Sequence, residues 1–301
     1  MIKNLSPRLA EAGKIKIGGL GETRTAASGR EYRVPVGYDH FVITKTRRDA
    51  KGDLEIDVDL MEALERDKDG KIRAIPIILH SDEIEDVFPT SYSFYAGKRL
   101  FCRGDGELAT RYEIDQGTKR HTGKSESVPC TCKYLTGAQK RCKPHGTLRC
   151  SIAAPNRAVA GAVHLWRTTS MISIERLIGS LQQIHSICGT LRGLPLWLKL
   201  EPVTVSPEDG PTKEVHCCHI ELRATDLLAV QREALEAKRM RDTVAGVASY
   251  PAQLVEPLSD DGPDEQEAIG DEFHPDDTDA VPPYHPETGE VFDDGWTPPN
   301  G

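Results

Sequence analysis

Aromatic side chains are scarce. Phe, Tyr and Trp make up 6% of the 301 residues, and all hydrophobic types together reach 38%, a modest core for one large or two small domains. Nowhere do about eighteen apolar residues follow one another, which excludes a helix that crosses a bilayer. The opening Met-Ile-Lys-Asn-Leu-Ser-Pro has no apolar run behind a basic start, so the chain is expected to stay in the cytoplasm where it is made. Catalytic signatures are missing as well: there is no nucleophile elbow, no His-Glu-x-x-His pair and no kinase or Walker pattern. Gly18, Gly19 and Gly21 are not followed by Gly-Lys-Ser/Thr, so residues 1–30 read as a loop rather than a phosphate cradle. Pro129-Cys130 opens like a zinc deaminase motif, but Cys132 follows one position too early for Cys-x-x-Cys.

Basic residues are absent from one region only. Fifteen acids and no Lys or Arg follow Tyr250, so the rest of the chain, with 38 bases against 32 acids, carries about +6 although the net charge is −9. A mildly basic body with an acidic tail fits a nucleic-acid setting or a partner that binds DNA. The tail, rich in Pro, Gly and acids, reads as disordered. Within it, Val281-Pro-Pro-Tyr284 and Val291 to Trp296 are candidate short linear contacts.

What the sequence does have is a cluster of cysteines. Four of the eight fall at Cys130, Cys132, Cys142 and Cys150, in a stretch too polar to build a core of its own. In a reducing compartment such a cluster more often binds metal than forms disulfides. Four thiolates would hold Zn²⁺ tetrahedrally and replace the missing apolar burial with coordinate bonds. The predicted ligands are Cys130, Cys132, Cys142 and Cys150, with Cys102 and His145 as substitutes for one of them. Reduced, half-buried thiols are the plainer alternative. A saturated ion keeps no position for water, so the zinc would be structural. Lys119, Arg120, Lys124, Lys133, Lys140, Arg141, Lys143 and Arg149 crowd the same stretch, where Glu126 is the lone carboxylate. They offset the −2 charge of a zinc tetrathiolate, or they form a basic knob for phosphate or an acidic protein surface. Lys133, Lys140, Arg141 and Lys143 are the candidate partner-binding residues.

Periodicity supplies the rest. Strands are expected over 32–46, over 71–80 with Pro76 at an edge or bulge, through an antiparallel meander over 92–114, and over 162–168. A short helix is expected over 57–67. Ile174, Leu177, Ile178, Leu181, Ile184, Ile187 and Cys188 form one apolar stripe on a helix capped by Ser170 or Ser173 and stopped by Gly189. Leu194 to Val205 and Val215 to Ala224 alternate as two strands. His216 to His219 lie in the second; neighbours there face opposite ways, so a structural role is read, with a second metal left open. Thr225 to Thr243 is a charged helix with a thin apolar face. The fold class is therefore α+β: a mixed or antiparallel sheet with a packed amphipathic helix and an inserted zinc-binding module, then the charged helix and the disordered acidic tail. The divisions read are 1–118, a β-rich part of the core domain; 119–151, the zinc module; 152–225, the remainder of the core; 226–247, the charged helix; and 248–301, the tail.

A succession of short motifs adds a resemblance. Pro7-Arg-Leu-Ala-Glu-Ala-Gly-Lys-Ile-Lys-Ile-Gly18 is followed by Gly29-Arg-Glu-Tyr, His40-Phe-Val-Ile and Phe101-Cys-Arg-Gly-Asp-Gly106. After the cysteine run come Trp166-Arg-Thr-Thr-Ser170-Met-Ile-Ser-Ile-Glu and Gly193-Leu-Pro-Leu-Trp-Leu. In this order, over about residues 7–225, the chain resembles the recombination directionality factors, phage-encoded partners of large serine integrases. The resemblance implies a protein without catalysis of its own, acting in a bacterial host's cytoplasm. It would bind a serine integrase on attachment-site DNA, contact DNA indirectly through that complex, permit attL × attR excision and inhibit attP × attB integration. The competing expectation is a zinc-dependent hydrolase or nuclease of a phage or mobile element, built on Cys102, Arg103, Asp105, His121 and His145. A weaker third is direct, sequence-specific binding of DNA by this chain alone.

Overall fold

The structure is a computed structural model, and it describes residues 9–25, 31–50, 53–96, 99–115, 118, 120–130, 133–136, 141–155, 161–206, 211–244 and 269. Its strands are β1 (Ala10–Thr25), β2 (Glu31–Arg48), β3 (Leu54–Ile56), β4 (Ala74–Ile78), β5 (Thr90–Ala96), β6 (Arg99–Gly104), β7 (Leu108–Ile114), β8 (His121–Pro129), β9 (Lys143–Ile152), β10 (Ala162–Thr168), β11 (Leu196–Val205) and β12 (Lys213–Leu222). Its helices are α1 (Val58–Glu62), α2 (Ile84–Val87), α3 (Lys133–Thr136), α4 (Met171–Cys188) and α5 (Leu227–Val244). A sheet-dominated α+β fold is what the hydrophobic alternation predicts.

Two compact units divide the chain. The first is Met1–Gly19, Val36–Thr90 and Gly146–Glu256; the second is Leu20–Pro35, Ser91–His145 and Pro257–Gly301. The division differs from the linear one read in the sequence, because the second unit takes in the whole β5 to β8 meander rather than residues 119–151 alone. Stretches distant in the chain share a unit because they share a core, which a linear reading does not see.

In the first unit the strand order is β3-β2-β1-β10-β9, and β4 then connects β9 to β11 and β12. β1 runs parallel to β10, with Ala10 opposite Ala162 and Ile15 opposite Trp166. The glycine-rich start is thus a strand and not a loop. Gly13 explains why: a Cβ there would stand 2.1 Å from the Thr44 carbonyl oxygen, so glycine lets neighbouring backbone close in. Pro76 is another correction, since β4 lies between two partners rather than at an edge. β9 meets β4 at Ile77 and Ile78, so Pro76, which has no N–H to give, stands just outside that ladder while its carbonyl accepts from Ala153 N at 2.8 Å.

Helix α4 covers this sheet with the predicted stripe. Ile174, Leu177, Leu181, Ile184 and Cys188 are buried with Trp166, Leu148, Leu198 and Ile220, each large apolar side chain contributing about 1.5–3 kcal/mol. Ser170 caps the start by accepting from Ser173 N at 3.3 Å, and Gly189 ends the helix at φ 69°. Asp82 locks the segment that follows: its Oδ1 accepts from Thr190 Oγ1 at 2.6 Å, Leu191 N at 2.6 Å and Arg192 N at 2.9 Å. Burial raises the Asp82 pKa, but these hydrogen bonds to its ionised form outweigh that and leave it lowered. Helix α5 packs on α4, where Gln231 Nε2 donates to the Ile187 carbonyl at 2.7 Å.

The second unit is an antiparallel meander in the order β5-β6-β7-β8. Phe94, Ala96, Phe101, Ile114 and Tyr134 form one buried cluster. Ala109, Val128 and Cys130 form another. Tyr95 and Leu100 pack with Ile269, which is helical and 4% exposed. At least this residue of the acidic tail is ordered against the meander; the remainder of 248–301, including the two candidate linear contacts, lies outside the described residues.

Candidate metal centre

The cysteine stretch is held by the meander beneath it. Tyr134, on the single turn α3, packs its ring against Phe94 with centroids 4.9 Å apart. Its carbonyl accepts from both Arg141 N and Cys142 N at 3.0 Å, which folds the chain back so that Cys142 returns to α3. Cys130 N donates to the Glu107 carbonyl at 2.9 Å and fixes the other end. Gly104 leaves the space that the Cys130 thiol fills: a Cβ at Gly104 would lie 2.8 Å from Cys130 Sγ and 2.4 Å from the Leu108 oxygen.

Three cysteines border or belong to the two apolar clusters of the meander. Cys102 packs on the Phe94 and Phe101 cluster together with Cys142, and it also packs on the Ala109 and Val128 cluster that contains Cys130. Cys132 lies outside the described residues. Cys150 is elsewhere, in the core of the first unit, fully buried and opposite His164 in the β9–β10 ladder. Burial pushes its thiol up to about 12, which disfavours the thiolate. Its periodicity along β9 already places it with Leu148 and Ile152 on the buried side, a signal that even cysteine spacing obscured. His145, the other substitute, is buried with its ring 5.7 Å from that of Tyr95.

The surrounding charges are partly engaged. Arg141 lies over the Phe94 ring at 6.0 Å, a cation–π contact that anchors the module's return loop. Lys143 begins β9 and is half-buried. The Lys133 side chain and all of Lys140 lie outside the described residues. Lys124 pairs with Glu113 at 3.7 Å, and Arg149 donates to the Asp86 carbonyl at 3.2 Å. Arg111, buried at the Phe101 ring, pairs with Glu126 at 3.6 Å.

The residues expected of a hydrolase hold local structure. Asp105 caps its turn by accepting from Glu107 N and Leu108 N, both at 2.8 Å, and those backbone bonds, Leu108 foremost, lower its pKa. Arg103 Nε donates to Ser91 Oγ at 2.8 Å. His121 Nε2 donates to the Leu100 carbonyl at 2.8 Å, and burial lowers its pKa.

A family model of recombination directionality factor-like (Gp3-like) proteins matches residues 12–223. The chain belongs to this family. The matched residues of this recombination directionality factor-like protein run from β1 to one position past β12, and so take in both sheets and the cysteine stretch. Helix α5 and everything after it fall outside. Membership ties the chain to the direction of DNA recombination and to an integrase as partner, in a family that generally regulates rather than catalyses. No curated protein and no solved structure matches it. Among the described residues, no helix is long and apolar enough to cross a membrane.

Proposed function

We propose that this protein is a directionality factor for a large serine integrase, switching it on attachment-site DNA from attP × attB integration to attL × attR excision. The observation that carries the reading is the family match over residues 12–223, which spans the whole sheet framework. The local duties of Asp105, Arg103 and His121 support it against the hydrolase alternative. A partner shifts an equilibrium only through unequal affinity for two states. About 3 kcal/mol of preference for the excision-competent arrangement changes its weight more than a hundredfold. No chemistry of the factor's own is required.

The factor carries a structural Zn²⁺ in the second unit, bound by Cys102, Cys130, Cys132 and Cys142. Cys102 takes the place first expected for Cys150, because Cys102 shares apolar clusters with Cys130 and with Cys142 while Cys150 lies in another core. Thiolates suit zinc, and four of them would close the shell and stiffen the loop between β8 and β9. Arg141 and Lys143 flank that loop, with Lys133 and Lys140, as the surface offered to the integrase. The factor acts in the host cytoplasm and reaches DNA through the integrase complex. The test is co-elution of the full chain with its cognate integrase and recombination of attL/attR and attP/attB plasmids with and without it. A pair that neither co-elutes nor changes direction overturns the reading.

A further inference from the structure

The β11–β12 ladder runs in unbroken register from Leu196 opposite Leu222 to Val205 opposite Lys213. Leu196, Leu198, Leu200, Cys218 and Ile220 enter the core, so the other face of the two strands carries Trp197, Lys199, Glu201, His219 and Glu221. Lys199 stands opposite His219, with Glu201 one diagonal step away and Glu221 two residues along the same strand. Two carboxylates against one ammonium leave a net negative charge around the imidazole.

The hydrogen bonds fix that imidazole's tautomer. Glu221 Oε1 is 2.9 Å from His219 Nε2, and Glu221 Oε2 is 2.5 Å from Lys199 Nζ. In the neutral imidazole an ionised acceptor at Nε2 favours the proton there, which leaves the Nδ1 lone pair to bind a metal. Nδ1 is buried and makes no hydrogen bond; the nearest counter-group is Glu201 Oε2 at 3.8 Å, beyond hydrogen-bond reach. Metal bonds of about 2.0–2.2 Å place two ligand atoms of one ion roughly 3.3–4 Å apart, which is the spacing seen here. One ligand atom from each of Glu201, His219 and Glu221 lies within 4.8 Å of the others.

We propose that His219 Nδ1 and the Glu201 carboxylate form a divalent-metal site, with Glu221 orienting the imidazole from Nε2. It is separate from the cysteine centre and takes a cation that accepts nitrogen and oxygen, of the Zn²⁺ or Co²⁺ kind. Glu201 also lines a groove of about 310 Å³ with Glu65, Asp67, Arg73, Lys199 and Trp197, and water is the remaining ligand expected of the ion.

The test titrates Zn²⁺ into the full chain and follows the His219 ring nitrogens by NMR, in parallel with zinc stoichiometry. Expected is a saturable shift of His219 Nδ1 and one zinc equivalent that His219→Gln loses with near-ultraviolet circular dichroism unchanged. Glu221→Gln should weaken that equivalent about 10–100-fold, the usual cost of losing a carboxylate behind a metal-bound histidine. Co²⁺ in this position should give d–d bands without added thiolate charge transfer, which separates it from the cysteine centre. A His219 ring unshifted at millimolar Zn²⁺, or stoichiometry unchanged by His219→Gln, overturns the proposal. Should the variants misfold, the wild-type titration decides alone.

Discussion

Single residues separate the cysteines proposed to hold zinc from the one in the main core. Cys142 is partly buried against the same small cluster as Cys102, whereas Cys150 is sealed in the main core. Cys142→Ser is therefore expected to lower zinc content and to speed proteolysis within residues 130–150, with α4 unaffected; metal analysis and limited digestion check this. Cys150→Ala is expected to leave zinc content unchanged while costing about 0.5–3 kcal/mol in denaturant unfolding, the usual range for a core truncation of this size. Asp82 offers a pH test. Its folded pKa lies below the ordinary 3.8, so its contribution is fully present above that value and fades as pH falls through the lowered one. Asp82→Ala should cost about 1.5–3 kcal/mol at neutral pH, as hydrogen bonds to a charged acceptor do. The gap to wild type should close in acid, and unfolding curves across a pH series would show it.

At the scale of elements, α4 and its caps hold the first unit together. Leu177 is fully buried at the centre of the stripe, and Leu177→Ala is expected to cost about 2–5 kcal/mol by calorimetry or denaturant unfolding. Helix α4 was legible from residue spacing because an amphipathic helix buries one face whatever sheet it meets. The strand at residues 10–25 was not. Its glycines look like loop punctuation until β2 and β10 are seen to crowd its backbone. The outer face of β11 and β12 was hidden for a related reason: His219 and Glu201 become neighbours only once the register between strands is known.

For the whole molecule, one position of the acidic tail belongs to the core of the second unit. Ile269 is buried with Tyr95 and Leu100, whose stacked neighbours Tyr112 and His121 complete that side of the meander. Ile269→Asp is expected to raise amide hydrogen exchange at residues 95–100 and to leave β4 and β11 protected; unchanged exchange at Leu100 would show that the contact contributes nothing.

Composition and spacing alone determined the α+β class, the α4 core and the two strands that follow it, because those rest on local periodicity; the family was legible as a resemblance in the order of motifs and is shown by the match over residues 12–223. Tertiary structure alone decided that Cys150 belongs to a different core from Cys130 and Cys142, that Pro76 lies inside a sheet, and that a carboxylate and an imidazole face one another across two strands. Those facts depend on which distant segments pair. Pairing is settled by the shared burial of many side chains at once, and no short stretch of sequence records it.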